Sequence, residues 1–444
     1  MKKQTKVLFT VLSLVLAVGL LTACGGAAPA GGGGGGGTGG AAAGDTATAA
    51  AGDPEVVTLL TIMGNGGHNT IVERFNDSHD HIQIALDNIS ATWEDVATKK
   101  ITMVAAGMGP DITTVSTSFY PQFAAQGLLM DITEFIEMNV NQDEVYWDVI
   151  QNLYIDGRLY GLPISVFSLV VYYNRDMFEE AGITPPSLDW TDTWTFEEFR
   201  DIATRLTHGE GLSRVYGGWI QYQLERTAAL MFPHGLNFWG DDNFPQFDDQ
   251  RIRDIHEVLY EMMHVDRVMP DNSTTMTVPI AQLFADERLG MMLNGTWMHP
   301  AIVESGINFG VLPTPGGVTV SYVDVYIPYL NSQVPDATKE VMLWLIGEEP
   351  SAIKYQEFTW GPQVNRAATE NNMDILFQGL TLEEKQMIFA SLDNNRPLTV
   401  FPQWAEFLVA SLLPISELMG IGEYTVDQGF DRLQQEALTI LGFN

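Results

Sequence analysis

Cysteine is all but missing: Cys24 is the only one in 444 residues. One thiol excludes an internal disulfide. It says nothing against export, because a chain this long can build its core without covalent staples. Cations are also scarce, 22 Lys and Arg against 56 Asp and Glu, a formal net charge of −34. Such a charge opposes nucleic acid and anionic lipid surfaces, and no nucleic-acid motif is present. Beyond the first residues no apolar run is long enough to span a bilayer; "FLVASLLPISELMG" is broken by Pro414, Ser416 and Glu417. Catalytic signatures are absent too. There is no Gly-x-Ser-x-Gly elbow, and "HEVLYEMMH" has Tyr260 where a zinc helix needs its second histidine. No metal or cofactor is therefore expected. Two well-placed carboxylates are all that a glycosidase requires, so counting acids does not remove that possibility.

The chain begins with Lys2, Lys3 and Lys6, then an apolar stretch from Val7 to Leu21, then Thr22, Ala23 and Cys24. A basic end, a short apolar segment and small residues before a break form a secretory signal over 1–23. Leu21-Thr22-Ala23-Cys24 resembles a bacterial lipobox, which implies cleavage before Cys24 and lipidation of that residue. Several acyl chains would then anchor the protein at the outer face of the cytoplasmic membrane. Loss of the three lysines takes the net charge to −37. Residues 24–53 are dominated by Gly, Ala and Thr and read as a flexible tether, roughly 30 Å in mean span by coil statistics.

The remaining chain, from Glu55 on, is long enough for two domains. "EVVTLLTIM" reads as a strand, followed by a helix with Ile71, Val72 and Phe75 on one side, then a second strand with Ile82, Ile84 and Leu86. "PDITTV" is a third strand. Strand–helix–strand alternation predicts an α/β layer with parallel pairing. "LVVYY" reads as a buried strand and "MFEEAG" as a helix stopped at Gly182. Thr195 with Glu198 forms a capping box opening a helix whose apolar face carries Phe196, Phe199, Ile202, Ala203 and Leu206. From about Ser351 the chain reads as mainly helical.

"GNGGHN" (Gly64–Asn69) fits no phosphate-loop pattern and reads as a tight strand-to-helix turn, the place where open α/β sheets bind ligands. Asn65 is the candidate contact there. Four tryptophans stand beside glycine or proline in expected loops: Trp219, Trp297, Trp360 and Trp404. Sugar rings present C–H faces that stack on such rings, with hydroxyls paired around the rim. A core role is the competing reading for each.

"DGRLYGLPISVFSLVVYYNRDMFEEAG" (Asp156–Gly182) resembles the family-1 extracellular solute-binding proteins of ATP-driven importers, the group of maltose-binding protein. "AAGMGPDITTV", "TWTFEEFRDIATRLT", "FADERLGMMLNGTW" and "FGVLPTPGG" resemble further segments of that family. Glu287 and Gly290 depart from its pattern, and "TWGPQVNR" fits only loosely. The resemblance implies an α/β, two-lobed, type II periplasmic-binding-protein-like fold with a ligand cleft between lobes joined by hinge strands. The expected lobes are 55–163 plus about 321–350, and 164–320 plus about 351–444. Trp297 is implied as the sugar-stacking ring, Gly295 as a site of close approach, Asp111 as a hydroxyl acceptor, and Trp404, Trp360, Trp219 and Arg366 as further cleft residues. The implied protein is a monomer, not an enzyme, that delivers a sugar to the transmembrane permease of an ABC importer. A polyamine or other cationic solute in the same fold, and a tethered glycan hydrolase, are the alternatives.

Overall fold

The computed structural model describes residues 53–62, 68–89, 100, 102–104, 106–107, 109–358 and 361–443. The signal and tether expectations, with Cys24, Asn65 and Trp360, lie outside the described residues.

The β-branched run Glu55–Ile62 forms β1 and pairs in parallel with β2 (Ile82–Ile89) and β3 (Ile112–Ser116). The helix His68–Ser78 between β1 and β2 buries Ile71, Val72 and Phe75, the stripe expected from its period. A short hairpin of β4 (Tyr154–Ile155) and β5 (Arg158–Leu159) precedes the longest strand, β6 (Leu162–Asn174). The "LVVYY" run is only the second half of β6. All 13 of its residues are buried, so no alternation marks where the strand begins. Tyr172 and Tyr173 end it inside the core. After it, Asn174 caps the helix Arg175–Glu180 by accepting from the Met177 N–H, and Gly182 takes φ +61° to turn the chain away. The Thr195–Glu198 capping box forms as expected, opening the helix Phe196–Leu206.

Later strands are β7 (Met291–Gly295), β8 (Phe309–Leu312), β9 (Thr319–Pro328) and β10 (Asn395–Pro397). They complete an eight-stranded sheet ordered β2-β1-β3-β9-β6-β7, with β10 beside β9 and β8 beside β6. The parallel expectation holds for β1, β2 and β3. By contrast β9 runs antiparallel to both β3 and β6, and β6 antiparallel to β7 and β8.

Two strands take part in both halves of this sheet. Ile112–Ser116 of β3 pairs with the second half of β9, whereas β10 pairs with its first residues. The first half of β6 pairs with β9 and its second half with β7 and β8. β6 and β9 pair antiparallel over Leu162–Ser168, and that crossing joins the two halves of the sheet. The helix Glu348–Phe358 and the chain that follows it both bond to the first half: Thr70 donates to Glu357 Oε1 at 2.6 Å, and the Tyr146 N–H donates to the Val364 carbonyl at 2.9 Å. These contacts run past the expected lobe boundary at about 350.

Candidate ligand site at the strand crossing

Trp297 follows β7 on a single 3-10 turn, Thr296–Met298, so the ring is placed by the end of a buried strand. Gly295 is the residue that lets it fold back. A Cβ there would stand 2.1 to 2.2 Å from Cζ3, Cε3 and Cη2 of the ring, so any side chain would expel it. The close approach expected at Gly295 is thus made by Trp297 itself.

Three more segments meet the indole. Phe167 of β6 packs edge-on with centroids 5.9 Å apart, and Tyr322 of β9 packs edge-on at 5.5 Å. Arg226, on the helix Leu224–Met231, lays its guanidinium 4.7 Å from the Trp297 ring centroid and 4.2 Å from that of Tyr322. Among the described residues, Arg226 Nε and Nη1 are buried without a hydrogen-bond acceptor, and Glu225 Oε1 stands 3.9 Å from Nε. Tyr322 donates to the Glu225 carbonyl at 3.2 Å, which ties the helix to β9. The result is a half-buried aromatic corner with a cation set in it and hydrogen-bond donors unspent.

β9 carries the site onward. Successive side chains alternate across a strand, so Tyr322, Asp324 and Tyr326 share one face. Tyr326 shares a hydrogen bond of 3.0 Å with Nε2 of His68, at the start of the first helix. The Lys354 amine lies 5.1 Å from the Tyr326 ring centroid and donates to the Leu345 carbonyl at 3.2 Å. Burial pulls that amine down to about 7. Asp324 keeps an edge in contact with solvent, and its surroundings push its carboxyl up to about 7 by desolvation. Its backbone pairs with Ser116 on one side and Ser165 on the other. The carboxyl end of β3, Ser116-Thr117-Ser118, is partly exposed beside it.

Other expected site residues are placed elsewhere. Asp111 stands at the amino end of β3, roughly 15 Å along the strand from Ser116 at the usual rise. Its Oδ2 accepts from the Thr58 N–H at 2.8 Å and hydroxyl at 2.6 Å, and its Oδ1 from Ser332 at 2.6 Å. Those bonds staple β1 to the chain after β9. Arg366 donates through Nε to the Val145 carbonyl at 2.9 Å and stacks 4.4 Å over Tyr146. Trp404 is 2 % exposed among Trp239, Phe401 and Phe407, and Trp219 is 6 % exposed in a cluster with Tyr172 and Trp190. For these two, the competing core reading describes the position. His256 of "HEVLYEMMH" is fully buried, bonded to Thr227 and the Ile252 carbonyl, with burial holding its ring down near 4. Arg226, Tyr322, Asp324 and Tyr326 lie in no motif; the one local signal is the alternation of "SYVDVYIP", which puts Tyr, Asp and Tyr on one face.

Residues 69–352 match the model of the bacterial extracellular solute-binding protein family. A putative binding protein of Brucella abortus is 24% identical over 347 residues, 74% of this chain and 80% of that protein. The galactooligosaccharide-binding protein of Bacillus subtilis is 24% identical over 283 residues, 60% of this chain and 63% of that one. Among solved structures, an ABC substrate-binding protein of Listeria monocytogenes in complex with cycloalternan superposes with a TM-score of 0.79 at 18% identity. That match covers 88% of this chain and 100% of the other, so the two share a mixed α/β, two-lobed fold. The family match spans more than half of the sequence: the chain belongs to the bacterial extracellular solute-binding proteins.

Proposed function

We propose that the protein captures an uncharged carbohydrate, an oligosaccharide, in a cleft at the crossing of β6 and β9 and passes it unchanged to an ABC permease. The observation that carries this reading is the corner made by Trp297, Phe167, Tyr322 and Arg226, which joins aromatic surface to unspent buried donors. Sugar C–H faces suit the rings, and sugar oxygens suit the guanidinium. The names of relatives support the same class: one binds galactooligosaccharide, and another was solved with cycloalternan. A cation in the corner disfavours the cationic-solute alternative. Relatives named as binding proteins favour release of the ligand intact over its hydrolysis.

In this reading the lobes are 55–163 with about 321–366, and 164–320 with the rest of the chain, hinged at β6 and β9. Ligand binds the open form, and the closed form buries it and docks on the permease. The ligand can favour closure only by its greater affinity for the closed state. Cys24 carries the lipid anchor, and residues 25–53 hold a monomer away from the membrane.

Titration with neutral oligosaccharides, followed by tryptophan emission and X-ray scattering, tests this. A bound sugar shifts the emission, lowers the radius of gyration and is recovered intact by chromatography, and Trp297→Ala abolishes the shift. Unchanged emission and scattering with every sugar would falsify the reading.

A further inference from the structure

We propose that Asp324 is the residue that selects a polyol, its two carboxylate oxygens accepting hydrogens from neighbouring hydroxyls of a carbohydrate laid along β9. The inference rests on the proposed carbohydrate reading and adds the group that discriminates within it.

Position is the first support. β9 runs without a bulge against β3, so Tyr322, Asp324 and Tyr326 follow one another on one face at roughly 7 Å intervals. Both ends of that row are anchored: Tyr322 by Trp297 and Arg226, Tyr326 by His68. Asp324 lies between them, held by a strand paired on both sides, and so cannot swing to bulk water as an edge residue could.

Unmet chemistry is the second. Among the described residues Asp324 has no hydrogen-bond donor or ion-pair partner on its carboxylate, and the residue is only partly buried. Asp111 shows the contrast, a carboxylate in the same sheet with both oxygens paired. A half-buried carboxylate that accepts from no protein donor keeps its acceptor sites open to whatever hydroxyls enter from the solvent side. At the other end of the row Arg226, though 3.9 Å from Glu225 Oε1, keeps two buried nitrogens, Nε and Nη1, without a hydrogen-bond acceptor among the described residues. A sugar hydroxyl both donates and accepts, so one polyol answers both deficits. A cation would answer Asp324 alone and would face Arg226 and Lys354.

Calorimetry on the full folded chain decides the matter, with maltotriose, mannotriose and galactotriose as sugar probes and spermidine as the cationic probe. The tightest-binding trisaccharide is then titrated into Asp324→Asn and Asp324→Ala. Each variant should bind about ten- to a hundredfold more weakly, the range for a hydrogen bond to a charged group. Both should melt no lower than the wild type at pH 8, since an uncompensated charge has been removed, which separates lost recognition from lost folding. Wild-type binding retained within twofold by both variants overturns the role of Asp324 and leaves the carbohydrate reading standing. Heat from spermidine and from none of the trisaccharides overturns both.

Discussion

At the scale of single residues, buried charge separates framework from function. Lys354 is 5 % exposed, donates to a carbonyl and has no carboxylate partner among the described residues. Its amine titrates near 7 in the fold and near 10.5 when unfolded. Between those values the unfolded chain holds more protons, so this residue makes stability rise as pH climbs from 7 to 10.5. Below 7 its full cost is present. Lys354→Met, close in volume, should therefore stabilise the protein by about 2 kcal/mol at pH 6 and leave it nearly unchanged above pH 10. Urea denaturation at the two pH values measures this, and an equal gain at both would show that packing, not charge, is responsible. The Gly295–Trp297 pair makes the complementary point. There the neighbour is two residues away, and the contact is written into one short stretch of chain.

Among elements, the same local motif carries different weight in different surroundings. Thr195 and Glu198 form an exposed capping box on the helix Phe196–Leu206. Thr381 and Glu384 form another on the helix Leu382–Ala390, but the Glu384 side chain is 4 % exposed. It also accepts from Arg175 at 2.5 Å and from the Val311 N–H at 3.2 Å, linking that helix to the end of β6 and to β8. Thr195→Ala should cost about 1 kcal/mol, the ordinary loss of a cap. Glu384→Ala should cost about 3 kcal/mol or more, because it removes the ion-pair partner of a part-buried guanidinium and the acceptor of a strand N–H. Chemical denaturation of both variants compares them; similar losses would mean that Glu384 acts as a cap alone.

For the whole molecule, charge balance sets the response to salt. With 56 acids against 22 Lys and Arg, most carboxylates repel one another. The cations already serve two partners in places: Arg253 bridges Asp427 and Asp431, and Arg200 bridges Glu261 and Asp266. The carboxylates of these pairs are exposed, so each contributes little, although the Arg253 side chain itself is buried against the fold. Screening should relieve more repulsion than attraction, so the urea midpoint should rise between 20 and 300 mM sodium chloride. A falling midpoint would put the ion pairs in control. The same negative charge opposes binding to anionic surfaces.

Local patterns determined much of this protein. The stripe Ile71, Val72 and Phe75, the Thr195–Glu198 box, the turn at Gly182 and the Gly295–Trp297 adjacency all follow from spacings of a few residues, where helix period, strand alternation and cap chemistry operate. The solute-binding family was legible in the segments that carry its pattern, notably Asp156–Gly182. Composition, however, does not tell a loop tryptophan from a core one, and Trp404 and Trp219 are core. The meeting of Phe167, Arg226, Trp297, Tyr322 and Asp324 depends on the antiparallel registers of β9 with β3 and β6. Those registers are set by long-range packing, and the same packing gives Asp111 to Thr58 and Ser332 and Arg366 to Val145. No local period encodes which distant strand lies alongside, so the site emerges only once the sheet has closed.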